Sequence, residues 1–472
     1  MESSQRIPLF ILVLGTLMGA LDSTIVILAF PSISTALHSD LVTTLWVILI
    51  YLLVVAVTTT QLGRVGDIYG RSRMFNAGFA IFTIGSLFCG LSSTITLLIA
   101  SRVVQAVGGA LLEANSGAIV ADSFSPNERG KAFGYISLGW TSGAMLGIVL
   151  GGVITTFVGW EFIFFINVPI GIAATILGVY YVRDTARTPA GLDLAGMVVL
   201  GTALMLLSYS AVDFVSIGAA PSNLLFACAG VFVALVFFLH ERRTPHPLLE
   251  TGILKGDILR YSIVAAFFQS LGYLSVVFMI TMYLQGIRGL SPLNAALLLT
   301  PGYLVGSLLS PFMGAYSDRY GARAIATTGL LVLMGATGLY LLLGVHTSLT
   351  FFLVVSAVSG IGTSMFYPAN SSAVMAHARA YSYGATSGVL RTVQNIGVLG
   401  SFVVAITIAS ATIPRDVAFE VFIGTTNLIG GVSESFLAGI DAALVVSIVI
   451  MAIACAFSWA RGKDIRLPGA PG

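Results

Sequence analysis

Charge is what this chain has least of: Asp, Glu, Lys and Arg together make up only 9% of its 472 residues. Soluble domains carry about 25%, so a water-facing surface of ordinary extent is excluded. Cysteine is almost missing. Cys89, Cys228 and Cys455 each lie inside apolar sequence without metal-ligand spacing, and read as small core-filling residues. The five histidines, His38, His240, His246, His346 and His377, fall in loops or at the ends of apolar runs and read as surface residues. There is no HExxH, P-loop, GxSxG or Cys/His cluster, so no metal, no cofactor and no intramembrane enzyme chemistry is expected. A net charge of +2 gives no electrostatic footprint for nucleic acid. The ten-residue alternating segments of a membrane β-barrel are absent. No cleavable leader is expected either, because the first apolar run is a full span with Asp22 inside it.

What is abundant is apolar sequence: 57% of residues are hydrophobic, and the mean hydropathy is +0.98. The apolar runs approach the ~20 residues that carry a helix across a ~30 Å hydrocarbon core. In that solvent backbone groups must pair internally, which predicts an all-α membrane protein. Fourteen spans are expected, roughly at 8–30, 42–62, 74–93, 96–121, 132–154, 160–182, 192–212, 222–240, 259–285, 292–313, 324–345, 349–375, 385–410 and 436–460. The 52 glycines suit helices that pack closely without a hydrophobic drive between them. The stretch 411–435 is compatible with a small hairpin or a short surface helix. With this span count, 18 of the 22 basic residues fall on one face, Arg288 and Arg415 fall on the other, and Arg102 and Arg391 lie within spans. That asymmetry places the basic face, and both termini, in the cytoplasm.

The chain also repeats itself. Ala114-Asn115-Ser116-Gly117-Ala118-Ile119-Val120-Ala121 returns as Ala369-Asn370-Ser371-Ser372-Ala373-Val374-Met375-Ala376, and the segment from Gly63 to Gly70 returns from Gly314 to Gly321. The offsets are 255 and 251 residues. Two similar six-helix bundles are therefore expected, at 1–185 and 256–472, with two inserted transmembrane helices and a cytoplasmic linker at 186–255. Parallel repeats of this kind belong to transporters whose halves rock around a central site.

Four groups of residues carry candidate chemistry. The segment Gly63 to Arg73 reads as a tight glycine-permitted loop held at the surface by Arg64, Arg71 and Arg73, with Asp67 expected to dock on the positive end of a helix from the other half. With Gly70, Asp318 and Gly321 it would form a conformational latch. Gly134, Gly143, Gly147, Gly151 and Gly152 in the fifth span mark close backbone approach; generic helix packing is the alternative. Asp22 and Glu113 are carboxylates at mid-membrane, each costing roughly 2.5–3.5 kcal/mol unless it meets a cavity or a partner. Either is a proton-coupling candidate, and either also reads as a residue hydrogen-bonded to a neighbouring helix. Arg102 with Gln105, echoed by Arg391, Gln394 and Asn395, supplies intramembrane donors. A pairing with Asp22 or Glu113 competes with snorkelling towards an interface.

Taken together, these stretches resemble the major facilitator superfamily. Gly63–Arg73 is similar to its loop signature, and Gly134-x8-Gly143-x3-Gly147 with Gly151-Gly152 resembles the motif of its antiporters. Leu21-Asp22-Ser23-Thr24-Ile25-Val26, with Ala29 and Pro31, resembles the first-span signature of the fourteen-helix drug:proton antiporters. Trp46, Tyr51-Leu52, Trp160-Glu161-Phe162-Ile163-Phe164 and Ile166-Asn167-Val168-Pro169-Ile170-Gly171 are similar to further stretches of that subfamily. Departures stand at Ile148 (usually Pro), Ile27 (usually Asn), Glu161 (usually Arg), Ala106 (usually Gly) and Glu113-Ala114 (usually a hydrophobic–Pro pair). The resemblance implies a monomeric, multi-pass plasma-membrane exporter that exchanges protons for amphipathic, often cationic, small molecules, driven by the proton gradient. It implies Asp22 as a coupling or cation-recognition carboxylate and Arg102 as part of the proton path. Transport of a specific metabolite (peptide, sugar, siderophore or fatty acid) and a non-transporting membrane sensor are the rival expectations.

Overall fold

Long apolar segments leave no water for their amides, so each winds into a helix that pairs its own backbone. A computed structural model describes residues 3–182, 187, 191–217, 220–245, 247–248, 257–409 and 432–462. Among these there is helix and no strand. The N-terminal bundle contains α1 (Ser3–Ala36), α2 (Leu41–Tyr69), α3 (Arg71–Gly90), α4 (Ile95–Ser123) and α5 (Arg129–Phe157). Its last span is broken into α6 (Phe162–Phe165) and α7 (Asn167–Tyr181). Then come α8 (Leu194–Ile217) and α9 (Pro221–Glu241). The C-terminal bundle contains α10 (Asp257–Met282), extended by a π-helical turn (Tyr283–Ile287), then α11 (Pro292–Tyr320), α12 (Ala322–Tyr340), α13 (Leu349–His377), α14 (Tyr383–Ala409) and α15 (Val432–Ala460). Twelve of these spans are long and apolar enough to cross a membrane; α3 and α14 are not among the twelve. The stretch expected as hairpin or surface helix falls almost wholly outside the described residues.

Side chains cap several helix starts. Asp40 accepts from the Thr43 amide at 2.9 Å at the head of α2, and these Thr43 hydrogen bonds hold its carboxyl below the usual carboxylate range. Thr94, Ser291 and Ser348 serve α4, α11 and α13 in the same way.

The expected loop after the second span is corrected here. α2 stays helical through Tyr69 and α3 begins at Arg71, so the turn is the single residue Gly70, with φ 110°. Gly321, φ 94°, does the same between α11 and α12. A Cβ is strained in this region, which is why glycine recurs at both positions. Arg64 and Arg71 are buried, not surface anchors. They bond to protein carbonyls and carboxylates because the helix carries them inward.

In each bundle buried aromatic and aliphatic side chains interlock, Phe75 against Phe79 at 5.0 Å between ring centres in one and Tyr283 against Phe352 at 5.3 Å in the other. Glycines set the closest approaches. Along α5, Gly139, Gly143 and Gly147 lie on the α1 backbone around Val13, Leu17 and Leu21, while Gly134 and Gly152 meet Ser310, Pro311 and Leu293 of α11. Gly151 is buried among them. The glycine motif thus serves two contacts, one inside its bundle and one across to the other.

α8 and α9 pair with each other, and α8 rests on α2. Polar bonds fix this insert to the end of α2. Arg64 donates to the Gly191 carbonyl at 3.1 Å and to the Pro247 carbonyl, and the Asp193 amide donates to Gln61 Oε1 at 3.2 Å. His240, expected at the surface, lies 3.0 Å from the buried Asp193 carboxylate. The residue just before α8 supplies that acid, its carboxylate also accepting from the Gly196 amide at 2.7 Å.

Candidate functional site

Two polar centres lie within the membrane-spanning region, and they differ in access. The first is inside the N-terminal bundle. Asp22 of α1 is fully buried, and its Oδ2 meets Arg102 Nη1 of α4 at 2.5 Å. Gln105 Nε2 donates to Asp22 Oδ1 at 2.8 Å and Asn167 Nδ2 donates to the same oxygen at 3.3 Å. Arg102 Nη1 also donates to Gln105 Oε1 at 2.6 Å, and its Nε donates to the Val47 carbonyl at 3.0 Å. Gln105 reaches Ser86 Oγ at 2.7 Å. The guanidinium lies over the Tyr51 ring, 4.3 Å from its centre. With Nε and Nη1 of Arg102 donating to partners and the carboxylate accepting three hydrogen bonds, the burial of this pair is compensated. In this conformation Asp22 does not line the cavity.

The second centre is a cavity between the bundles, enclosing about 1060 Å³ of non-atom space, its open mouth included. Glu113 of α4 and Arg391 of α14 line it, with Tyr51, Trp140, Tyr367 and Asn395. Asn395 Nδ2 donates to Glu113 Oε2 at 3.1 Å, a hydrogen bond between the two bundles. Arg391 Nη1 donates to Gln394 Oε1 at 3.3 Å. Glu113 and Arg391 therefore share one space, whereas Asp22, Arg102 and Gln105 share another. Tyr51 stands between them, its ring against Arg102 and its edge on the cavity.

At the basic end the bundles are joined twice, by contacts the internal repeat relates. Asp67 accepts from the Gly384 and Ala385 amides at the start of α14, both at 3.0 Å. Asp318 accepts from the Gly130 and Lys131 amides at the start of α5, at 2.7 and 3.0 Å. Each carboxylate meets the positive end of a helix dipole, an arrangement worth about 0.3–2 kcal/mol. Arg71 ties the first joint further, meeting Asp67 at 2.7 Å, Asp122 at 2.5 Å and the Ala380 carbonyl at 2.9 Å. Glycine makes both approaches possible: a Cβ on Gly63 would run into the Gly384 carbonyl, and one on Gly314 into the Gly130 carbonyl. Gly63→Ala with Gly314→Ala is accordingly expected to open this end. Cysteines placed near residues 63 and 384 should then label several-fold faster; unchanged labelling would overturn the latch.

Several participants escaped the sequence reading. Ser86 and Asn167 complete the Asp22 cluster; Asn167 stands in a stretch quoted for the resemblance, but nothing in the sequence ties it to Asp22. Thr60 and Thr392 bond across the bundles at 2.9 Å, as do Ser142 and Ser307 at 2.7 Å. Arg461, counted as a surface base, is buried and donates to Asn370 and Ser262. Asp441, an acid within α15, would have raised the same question as Asp22, and its Oδ1 is buried without a hydrogen-bond partner among the described residues.

Paired helical bundles around a cavity that holds an acid and a base in a largely apolar wall, joined by repeat-related contacts at one end, are the architecture of a membrane transporter. The Major Facilitator Superfamily signature matches residues 12–401, and the chain belongs to that family. It is 30% identical to the riboflavin transporter RibZ of Clostridioides difficile (strain 630), covering 83% of this chain and 85% of that one. It is also 30% identical to the tetracenomycin C resistance and export protein of Streptomyces glaucescens, covering 84% and 74%. Identity is 27% to the multidrug resistance protein Stp of Mycobacterium tuberculosis (strain CDC 1551 / Oshkosh), over 100% of this chain and 96% of that one. The solved human organic anion transporter MFSD10 (TETRAN) shares the fold, with a TM-score of 0.61 at 15% identity over 96% of this chain and 100% of that chain. This is a multi-pass membrane transporter of small molecules and not an enzyme. Among its relatives are exporters consistent with the drug:proton antiporter branch.

Proposed function

We propose that this chain is a proton-coupled antiporter exporting amphipathic compounds by alternating access. In this reading it is a monomer in the plasma membrane with fourteen crossings, both ends are cytoplasmic, and the proton gradient is its only energy source. The observation that carries the reading is Glu113, a carboxylate on the wall of the inter-bundle cavity and hydrogen-bonded across it by Asn395. A proton or a substrate cation competes for that carboxylate, so its occupancy biases the two access states differently. Asp67 and Asp318 hold the cytoplasmic end shut in one of these states. Asp22, Arg102 and Gln105 steady the wall behind Tyr51, which transmits changes at the cavity to the buried pair.

The test is reconstitution of the purified protein in liposomes with an imposed pH gradient. A gradient of one unit supplies about 1.4 kcal/mol per proton, enough for a roughly tenfold accumulation of substrate. Uptake of a lipophilic cation into acid-interior vesicles, abolished by a protonophore, is the expected result. Flux indifferent to the gradient would sink antiport. A second reading, transport of one specific metabolite, is favoured by the riboflavin transporter among the relatives. Saturable riboflavin flux with no movement of amphipathic cations would select it.

A further inference from the structure

The cavity holds a charge of each sign, and the two come from opposite bundles: Glu113 from α4 and Arg391 from α14. Each is steadied by a neutral amide, Asn395 for the acid and Gln394 for the base. A site shaped for lipophilic cations alone gains from a guanidinium in its wall only a counter-charge for Glu113, while the like charge repels the cargo. A guanidinium does suit a carboxylate, which its planar fork of donors can grip in two places. The apolar part of the site is aromatic. Trp140 and Tyr367 lie 6.5 Å apart, ring centre to ring centre, inclined at 33°. Beyond them a second space of about 700 Å³ runs into the C-terminal bundle, walled by Tyr273, Tyr303 and Tyr340. Trp140, Leu274 and Tyr367 line both spaces, so the two adjoin. Flat rings pack well against such walls.

We infer that the preferred substrates are aromatic zwitterions: a cationic group sits at Glu113, an acidic group at Arg391, and the ring system extends past Trp140 and Tyr367 toward the tyrosine-lined annex. The inference rests on the antiport reading only for taking this cavity as the substrate site. It is compatible with proton exchange, since the cation and the proton still compete for Glu113 while the acidic group adds affinity without changing the proton count. It narrows the expectation of amphipathic cations to molecules that also bear an acid.

Three xanthene dyes with one ring system separate the charges: rhodamine B is the zwitterion, its ethyl ester the cation, and fluorescein the anion. Binding to the purified full chain in detergent is read by fluorescence anisotropy. Rhodamine B is expected to bind about tenfold or more tightly than either of the others, the value of a charge-assisted contact. Arg391→Gln should erase the advantage of rhodamine B over its ester, and Arg391→Lys should restore part of it. Should Arg391→Gln not fold, the lysine variant alone must show a reduced advantage. The inference is overturned if the ester binds as well as rhodamine B, if both weaken alike in the Arg391 variants, or if no dye binds. The antiport reading fails by a different result: rhodamine B preferred in binding, yet carried at a rate that ignores the pH gradient.

Discussion

Arg102→Ala is expected to destabilise the protein by about 3–5 kcal/mol, because it leaves Asp22 charged and uncompensated within the bundle. The guanidinium makes contacts that no neighbour can replace: Asp22 at 2.5 Å, Gln105 at 2.6 Å, the Val47 carbonyl at 3.0 Å, and the face of Tyr51. Asp22→Asn is expected to cost less, since an amide can still accept from Gln105 or Asn167, though Arg102 then lacks its counter-charge. The pair Asp22→Asn with Arg102→Gln should recover part of the loss, as neither buried charge remains. Thermal unfolding of the detergent-purified proteins tests the order. A double variant as damaged as the sum of its parts would show that the two side chains act independently. An Arg102→Ala protein as stable as the parent would refute the description of this cluster as a compensated ion pair.

Much of this architecture was legible because lipid imposes few options. The length of the apolar runs gives long helices, twelve of them among the described residues long and apolar enough to cross a membrane, the basic residues give an expected orientation, and repeats at Asn115/Asn370 and Asp67/Asp318 give an expected pair of halves. What the sequence does not resolve is helix rotation. A soluble helix announces its buried face by an apolar stripe, but a membrane helix is apolar on its lipid face and its packed face alike. Asp22 and Glu113 therefore read as equivalent carboxylates at similar depth. In the folded chain one faces Arg102 within its own bundle, while the other faces the space between bundles. Arg64 and Arg461 show the same gap from another side: each is a base near a helix end, where sequence suggests the surface, yet each is buried against carbonyl or amide groups contributed by distant segments. Gly70 was legible as a turn, but its reduction to one residue depends on α2 remaining helical to Tyr69, supported by contacts Gly63 and Asp67 make across the bundles.

Glu113→Gln carries the largest functional consequence. Glutamine has nearly the shape of a protonated glutamate and keeps an acceptor for Asn395, so the cavity wall and the bond between bundles should survive. What it loses is the exchangeable proton, and with it the negative charge that draws the cationic group, so a weaker apparent affinity is expected as well. With no site at which a proton displaces the substrate, the two access states no longer differ in proton affinity, and the pH gradient has nothing to act on. Gradient-driven accumulation in liposomes is therefore expected to fall from about tenfold per pH unit to none, while exchange of labelled for unlabelled substrate across the membrane continues. Exchange separates loss of coupling from loss of fold, since a misfolded protein would do neither. Asp22→Asn provides the contrast. If Glu113→Gln kept its response to the gradient and a folded Asp22→Asn lost it, coupling would belong to the buried pair behind Tyr51, and the cavity carboxylate would serve recognition alone.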